Sequence, residues 1–208
     1  MREDMKIYDI SQEVFDCTVF PGDPQPERIL MQKIDNGDIC NLTGIKMCAH
    51  NGTHVDAPYH FINGSKTIDM VNLDKFIGLA YVTAFEGQIT ANDAERIMEK
   101  AKEADNRYAL PDDKPSLRIL VKGKAVVSEE AAEVFANSNI KLFGNESQTV
   151  GPEDAPKNVH LIMLSKEIVL LEGIRLAAVG EGVYMLNAAP LNLGASDGAP
   201  CRAVLMTV

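Results

Sequence analysis

The period of apolar and polar positions along this chain changes several times, and each change predicts an element. Residues 79–85 alternate, with Tyr81, Thr83 and Phe85 on one side and Val82 and Ala84 on the other, which is the period of a strand. Apolar runs at 5–10, 117–121, 140–143, 168–171, 183–188 and 201–207 have strand length and too few residues for a helix. Residues 29–33 and the partly alternating 39–48 are weaker strands, with the turn signal Asn36-Gly37 between them. Helical spacing begins at Thr90 and runs to about 104. Asp93 stands three residues on as a capping box, and Ile97 and Met98 start the buried stripe. Ser128 caps a short helix to about 135, and 158–165 is a helix that carries His160.

The punctuation falls between these segments. Phe20-Pro21-Gly22-Asp23-Pro24 lies in a proline-rich stretch, 15–26, that proline's fixed φ makes irregular. Residues 63–66, 107–116, 144–157 and 192–200 are expected as loops. Strand and helix signals alternate without the regular beat of a doubly wound sheet. They predict a mixed α/β fold, a mixed β-sheet core with flanking helices. No repeat, low-complexity tract or linker divides the chain, so 1–208 is expected to form one domain.

Composition narrows the function. A chain of 208 residues with 46% hydrophobic and 24% charged residues is long enough to close a core without disulfides. The formal net charge of -10 argues against a nucleic-acid partner, which needs clustered Lys and Arg. No apolar run approaches the roughly 20 residues of a membrane helix, and the charged start leads into no signal core. Cys17, Cys40, Cys48 and Cys201 form no Cys-x-x-Cys pair, so reduced thiols and a cytoplasmic location are expected.

The chemistry concentrates in one stretch. Three of the four histidines, His50, His54 and His60, fall within eleven residues, with Asp56 among them. Imidazole and carboxylate are ligands of zinc and its neighbours, and close spacing orders three of them with little loss of chain entropy. Gly52 and the β-branched Thr53 and Val55 disfavour a helix through His50 and His54. Asp56-Ala57-Pro58 reads instead as a helix start, with Asp56 near the N-cap. By residue type alone, His160 stays undecided between a ligand and a helix-surface or satisfied core histidine. Glu172, at the end of an apolar strand, stays undecided between a ligand and a solvated turn residue. No Gly-x-Ser-x-Gly occurs, which disfavours a serine esterase.

The pattern His50-x-Gly52-Thr53-His54-x-Asp56-Ala57-Pro58-x-His60 resembles the signature of the cyclase family, metal-dependent hydrolases that include bacterial kynurenine formamidases. Phe20-Pro21-Gly22-Asp23, His160, Leu170-Leu171-Glu172-Gly173 and Asp197-Gly198-Ala199-Pro200-x-Arg202 extend the resemblance over nearly the whole chain. It implies the swivelling β/β/α fold of that family and a site with two divalent metal ions, zinc first and manganese admissible. His50, His54 and Asp56 match ligands of one ion, Asp56 and Glu172 match bridging positions, and His160 matches a ligand of the second. His60 matches the family's proton donor and acceptor, and Phe20 the aromatic residue beside the substrate.

The activity so implied is hydrolysis of N-formyl-kynurenine or a similar aryl formamide by metal-activated water. The alternatives are an isatin-hydrolase-like or other cyclic amide or lactone substrate, and a non-catalytic metal-binding member. The formamidases typically carry Trp where Phe20 stands, and this chain has none. The expected partners are a small-molecule substrate and, by resemblance, a second copy in a homodimer or higher homo-oligomer.

Overall fold

A computed structural model describes residues 5–105 and 118–208 of the protein, so the loop expected over 107–116 lies outside the described residues. The described residues form β1 (Ile7–Asp9), β2 (Glu27–Gln32), β3 (Leu42–Lys46), β4 (His54–Asp56), β5 (Ile77–Ala84) and β6 (Gly87–Ile89). There follow α1 (Ala91–Asp105), β7 (Arg118–Lys122), β8 (Ala125–Val127), α2 (Glu129–Asn137), β9 (Leu142–Asn145) and α3 (Lys157–Ser165). β10 (Val169–Glu172), β11 (Gly182–Asn187), β12 (Gly198–Pro200) and β13 (Val204–Thr207) complete the chain.

Among the described residues, nine strands make one mixed sheet in the order β1-β13-β11-β5-β7-β9-β10-β4-β12. Its centre, β5-β7-β9-β10, is parallel, and both flanks are antiparallel. Parallel neighbours need crossovers, which α1, α2 and α3 supply. Both faces of the central strands are therefore covered, and their sequences read as unbroken apolar runs. Ile119, Val121, Phe143 and Leu170 pack with Phe135 and Met163 of the helices. Leu120, Leu142 and Leu171 face the other way, toward Val55, Leu186 and Leu205, where the curled flanks close over them.

The helix starts follow the local code. Thr90 and Asp93 exchange the bonds of a capping box, Thr90 N–H to Asp93 Oδ2 at 3.0 Å and Asp93 N–H to Thr90 Oγ1 at 3.3 Å. Ser128 Oγ accepts from Ala131 N–H at 3.1 Å and caps α2.

Two expectations are corrected. Asp56 does not cap a helix; it ends β4, and Ala57 precedes a single 3-10 turn, Pro58–His60, with no side-chain cap. Three residues of strand leave little periodicity to read, and β4 exists because β10 and β12 pair with it on either side. The stretch expected as a loop over 192–200 ends in β12 itself, Gly198–Pro200. Gly and Pro are poor strand formers, and β12 is tolerated because it is an edge.

Candidate active site

Strand alternation explains how the site is assembled. On β10, Leu170 turns to the helices while Val169 and Leu171 turn away. Glu172, two residues after Leu170, shares its side. β4 lies antiparallel with His54 opposite Glu172, Val55 opposite Leu171 and Asp56 opposite Leu170. Directly opposed residues share a face, so His54, Asp56 and Glu172 emerge together while Val55 is spent on the core. α3, the crossover into β10, lies over that face and brings His160 to Glu172, with Nε2 3.2 Å from Oε1.

Each imidazole is aimed by a bond from its other nitrogen. His54 Nδ1 donates to the Gly52 carbonyl at 2.9 Å, and His160 Nδ1 donates to the Pro156 carbonyl at 2.8 Å. Nε2 of each is thereby turned inward, the usual device that orients a metal-binding histidine. His54 Nε2 is 3.4 Å from Glu172 Oε2 and 3.6 Å from Asp56 Oδ1; His160 Nε2 is 3.5 Å from Asp56 Oδ2. Ligands at about 2.0–2.2 Å from a tetrahedral ion lie roughly 3.3–3.6 Å from one another, so these separations are those of a ligand shell. Asp56 Oδ2 is buried and makes no hydrogen bond. A buried carboxylate oxygen without a donor is costly unless a cation faces it. Donor type, separation and the orphaned oxygen all fit a divalent cation.

A second group of donors, His50, Asp56 and His60, shares Asp56 with the first, His54, Asp56 and Glu172. His50 Nδ1 donates to Asp56 Oδ1 and Nε2 to Asp197 Oδ2, both at 2.9 Å. Burial opposes a charge on His50, yet the bonds to Asp197 and Asp56 win and its pKa is pushed up to about 11. Burial likewise opposes charge on Asp56, but the bond from His50 holds its carboxyl well below the usual range. The His50 and His60 bonds do the same for Asp197. For His160, burial is outweighed by the Glu172 carboxylate, and its pKa rises. The cluster is rich in carboxylate and stabilises positive charge at its centre.

These side chains floor a cavity of about 230 Å³ walled by Phe20, Phe61, Asp23, Gln148 and Thr149. Six of the seven residues singled out from the sequence, Phe20, His50, His54, His60, His160 and Glu172, line it, and the seventh, Asp56, is buried beneath. A second cavity of about 350 Å³ shares Phe20, Gln148 and Thr149 with it. The walls are braced by amides: Gln12 Nε2 donates to Gln148 Oε1 at 2.7 Å, and Gln148 Nε2 to the Gly52 carbonyl at 3.0 Å. Sequence reasoning missed the bond between Asp197 and the histidines. Its one signal was the carboxylate in Asp197-Gly198-Ala199-Pro200, 137 residues away from His60 along the chain.

Known proteins resemble this chain in sequence and in fold. Residues 8–152 match the model of the cyclase family, described as "Putative cyclase". The chain is 30% identical over 215 residues to "Kynurenine formamidase" of Salinibacter ruber, with 97% of each covered. A solved structure described as "The Structure Of Potential Metal-Dependent Hydrolase With Cyclase Activity" superposes with a TM-score of 0.80 at 25% identity, over 98% of each chain. Isatin hydrolase A from Labrenzia aggregata shares the fold, with a TM-score of 0.76 at 19% identity, over 98% of this chain and 94% of that one.

Proposed function

This chain belongs to the cyclase family, and from that membership we propose that it is an arylformamidase, with N-formyl-kynurenine as the leading substrate. More coarsely, it is a hydrolase that acts on amide bonds. The observation that carries the finer reading is the convergence of His54, Asp56, Glu172 and His160, with the orphaned Asp56 oxygen, beneath an aromatic-walled cavity.

In this reading His50, His54, Asp56, His160 and Glu172 would together hold two divalent ions. Zinc suits the imidazole donors, and manganese is admissible at the more carboxylate-rich position. When bound, such ions supply Lewis acidity, which polarises a carbonyl and acidifies a water molecule. The protein's own residues do the rest. Phe20 and Phe61 flank an aryl ring, with Phe20 standing between the two cavities. A cavity of about 230 Å³ suits one ring with its formamide, and the neighbouring 350 Å³ leaves room for a tail. His60 accepts a proton from the attacking water and returns it to the leaving nitrogen. The C–O bond forms at the formyl carbon, the C–N bond breaks, and the products are the arylamine and formate.

The second reading, a cyclic amide such as isatin, is favoured by Phe20, whose single ring offers a smaller face than the Trp typical of the formamidases. Homodimerisation is also proposed. It is supported by the β2–β3 hairpin, whose strands bury no residue and expose Ile29, Leu30, Met31 and Ile45.

The test is chelation followed by assay on N-formyl-kynurenine, isatin and an aryl lactone. Formamide hydrolysis should vanish on metal removal and return with zinc or manganese. Activity untouched by exhaustive metal removal would overturn the metal-dependent reading. Turnover of isatin or lactone alone would overturn the formamidase assignment.

A further inference from the structure

One carboxylate reaches both histidines at the mouth of the site. Asp197 Oδ2 accepts from His60 Nδ1 at 3.1 Å and from His50 Nε2 at 2.9 Å. The two rings stack, with centroids 4.0 Å apart and planes inclined by 27°. The backbone that carries Asp197 is pinned. Its carbonyl accepts from Ala57 N–H at 2.9 Å, and the preceding Ser196 carbonyl accepts from Ile68 N–H at 2.9 Å. Immediately beyond, Gly198 opposes Asp56 in the β12–β4 pair. His60, by contrast, sits in a one-turn 3-10 helix and is partly exposed; its ring stacks on His50 and meets Phe61 edge-on, contacts that do not select a tautomer, and the ring hydrogen bond it makes among the described residues goes to Asp197. With Nδ1–H given to the carboxylate, Nε2 is left as the nitrogen that can exchange a proton.

We propose that Asp197 is the positioning residue of the hydrolytic step, fixing His60 as its Nδ1–H tautomer with Nε2 toward the reacting amide and, by holding His50 with the same oxygen, fixing the proton carrier's place relative to the ligand cluster. This rests on the hydrolase reading above. A carboxylate on the far nitrogen holds an imidazole in one tautomer and stabilises the imidazolium that forms when the near nitrogen takes a proton. The proton is taken by His60 Nε2 from the attacking water and delivered to the amide nitrogen as the C–N bond breaks; Asp197 stays ionised throughout. The sharing of one oxygen couples two tasks: a shift of Asp197 moves both the proton carrier and a candidate ligand.

The experiment uses zinc-loaded protein and the Asp197→Ala, Asp197→Asn and His60→Ala variants. Ring ¹⁵N spectra, with the His60 signals assigned by their loss in H60A, should show native His60 protonated at Nδ1. D197A should lose that preference, and D197N, whose amide can donate to Nδ1, should reverse it. At saturating zinc, kcat on the aryl formamide should fall about 100-fold in both variants, with KM nearly unchanged, the scale of a lost acid–base contribution. In an H60A background, again at saturating zinc, the same D197A change should cost less than about threefold, because the route through His60 is gone and saturation offsets a weaker hold on His50. A native His60 protonated at Nε2, or an unchanged tautomer in D197A, overturns the proposal. So does an undiminished cost of D197A in H60A, which would assign Asp197 to His50 alone. Absence of amide hydrolysis in the native protein would sink the functional reading instead, and the ring spectra would still decide whether Asp197 fixes His60.

Discussion

Gly198 illustrates how tightly the site is drawn at the scale of single residues. A Cβ there would lie 2.8 Å from His50 Cε1 and 2.7 Å from the Val55 carbonyl oxygen. Neither is the far end of a flexible chain: the ring is tied at both nitrogens, and the carbonyl belongs to β4. Gly198→Ala must therefore push His50 away from Asp56 and Asp197. Zinc retained after dialysis should fall along with kcat, tenfold or more, by analogy with the 10–100-fold losses seen when a metal site's supporting residues are disturbed. Far-ultraviolet circular dichroism should stay native. Full zinc retention in the variant would show that the ring has another place to go. Gly173 is similarly constrained from the other side. It follows Glu172 with φ +68°, and a Cβ would meet Gln148 Oε1 at 2.2 Å and the Gly52 carbonyl at 2.5 Å.

Among the elements, stability and chemistry are separable. α2 packs Ala131, Ala132 and Phe135 into the core but contributes nothing to the cavity lining. Ser128→Ala removes the bond to Ala131 N–H and should cost about 1 kcal/mol, a few degrees of Tm in a chain of this length, with kcat/KM unchanged. A loss of activity at constant metal content would contradict that separation. The short elements behave in the opposite way. β4 and β12 are three residues each, too short to be stable alone, and they hold His54, Asp56 and the backbone beside Asp197. Their order is borrowed from β10, whose Val169, Leu170 and Leu171 are fully buried.

For the whole molecule, the hairpin is the unexplained surface. Among the described residues β2 and β3 pair only with each other, and they expose apolar side chains, Ile29, Leu30, Met31, Leu42 and Ile45 among them. A lone two-stranded hairpin is marginal in water, and apolar surface of this kind marks an interaction site. Under the homodimer proposal, Leu30→Glu together with Ile45→Glu should convert a dimer to a monomer in sedimentation velocity. A native protein that sediments as a monomer across micromolar concentrations would remove the proposal. Among the described residues no helix is long and apolar enough to cross a membrane.

Local patterns were enough to place what depends on local energetics. The capping box at Thr90, the cap at Ser128, the buried strands about Ile119 and Leu170, and the helix carrying His160 are all written in neighbouring residues. The histidine run and Asp56 were legible as chemistry because the residue types able to bind a metal are few in kind and closely spaced here. Pairing decided the remainder. Asp56 became a strand residue because β10 and β12 enclose it, and a one-residue change of register would have turned His54 and Asp56 into the core and Val55 into the cavity. His160 and Glu172, undecided by residue type, acquired their geometry from a crossover helix lying over a strand end. Asp197 acquired its partners from an edge strand that returns beside β4. Side-chain alternation is a property of one segment and can be read along it. Which segments lie opposite one another depends on burying the whole apolar surface at once, and only the folded chain settles that.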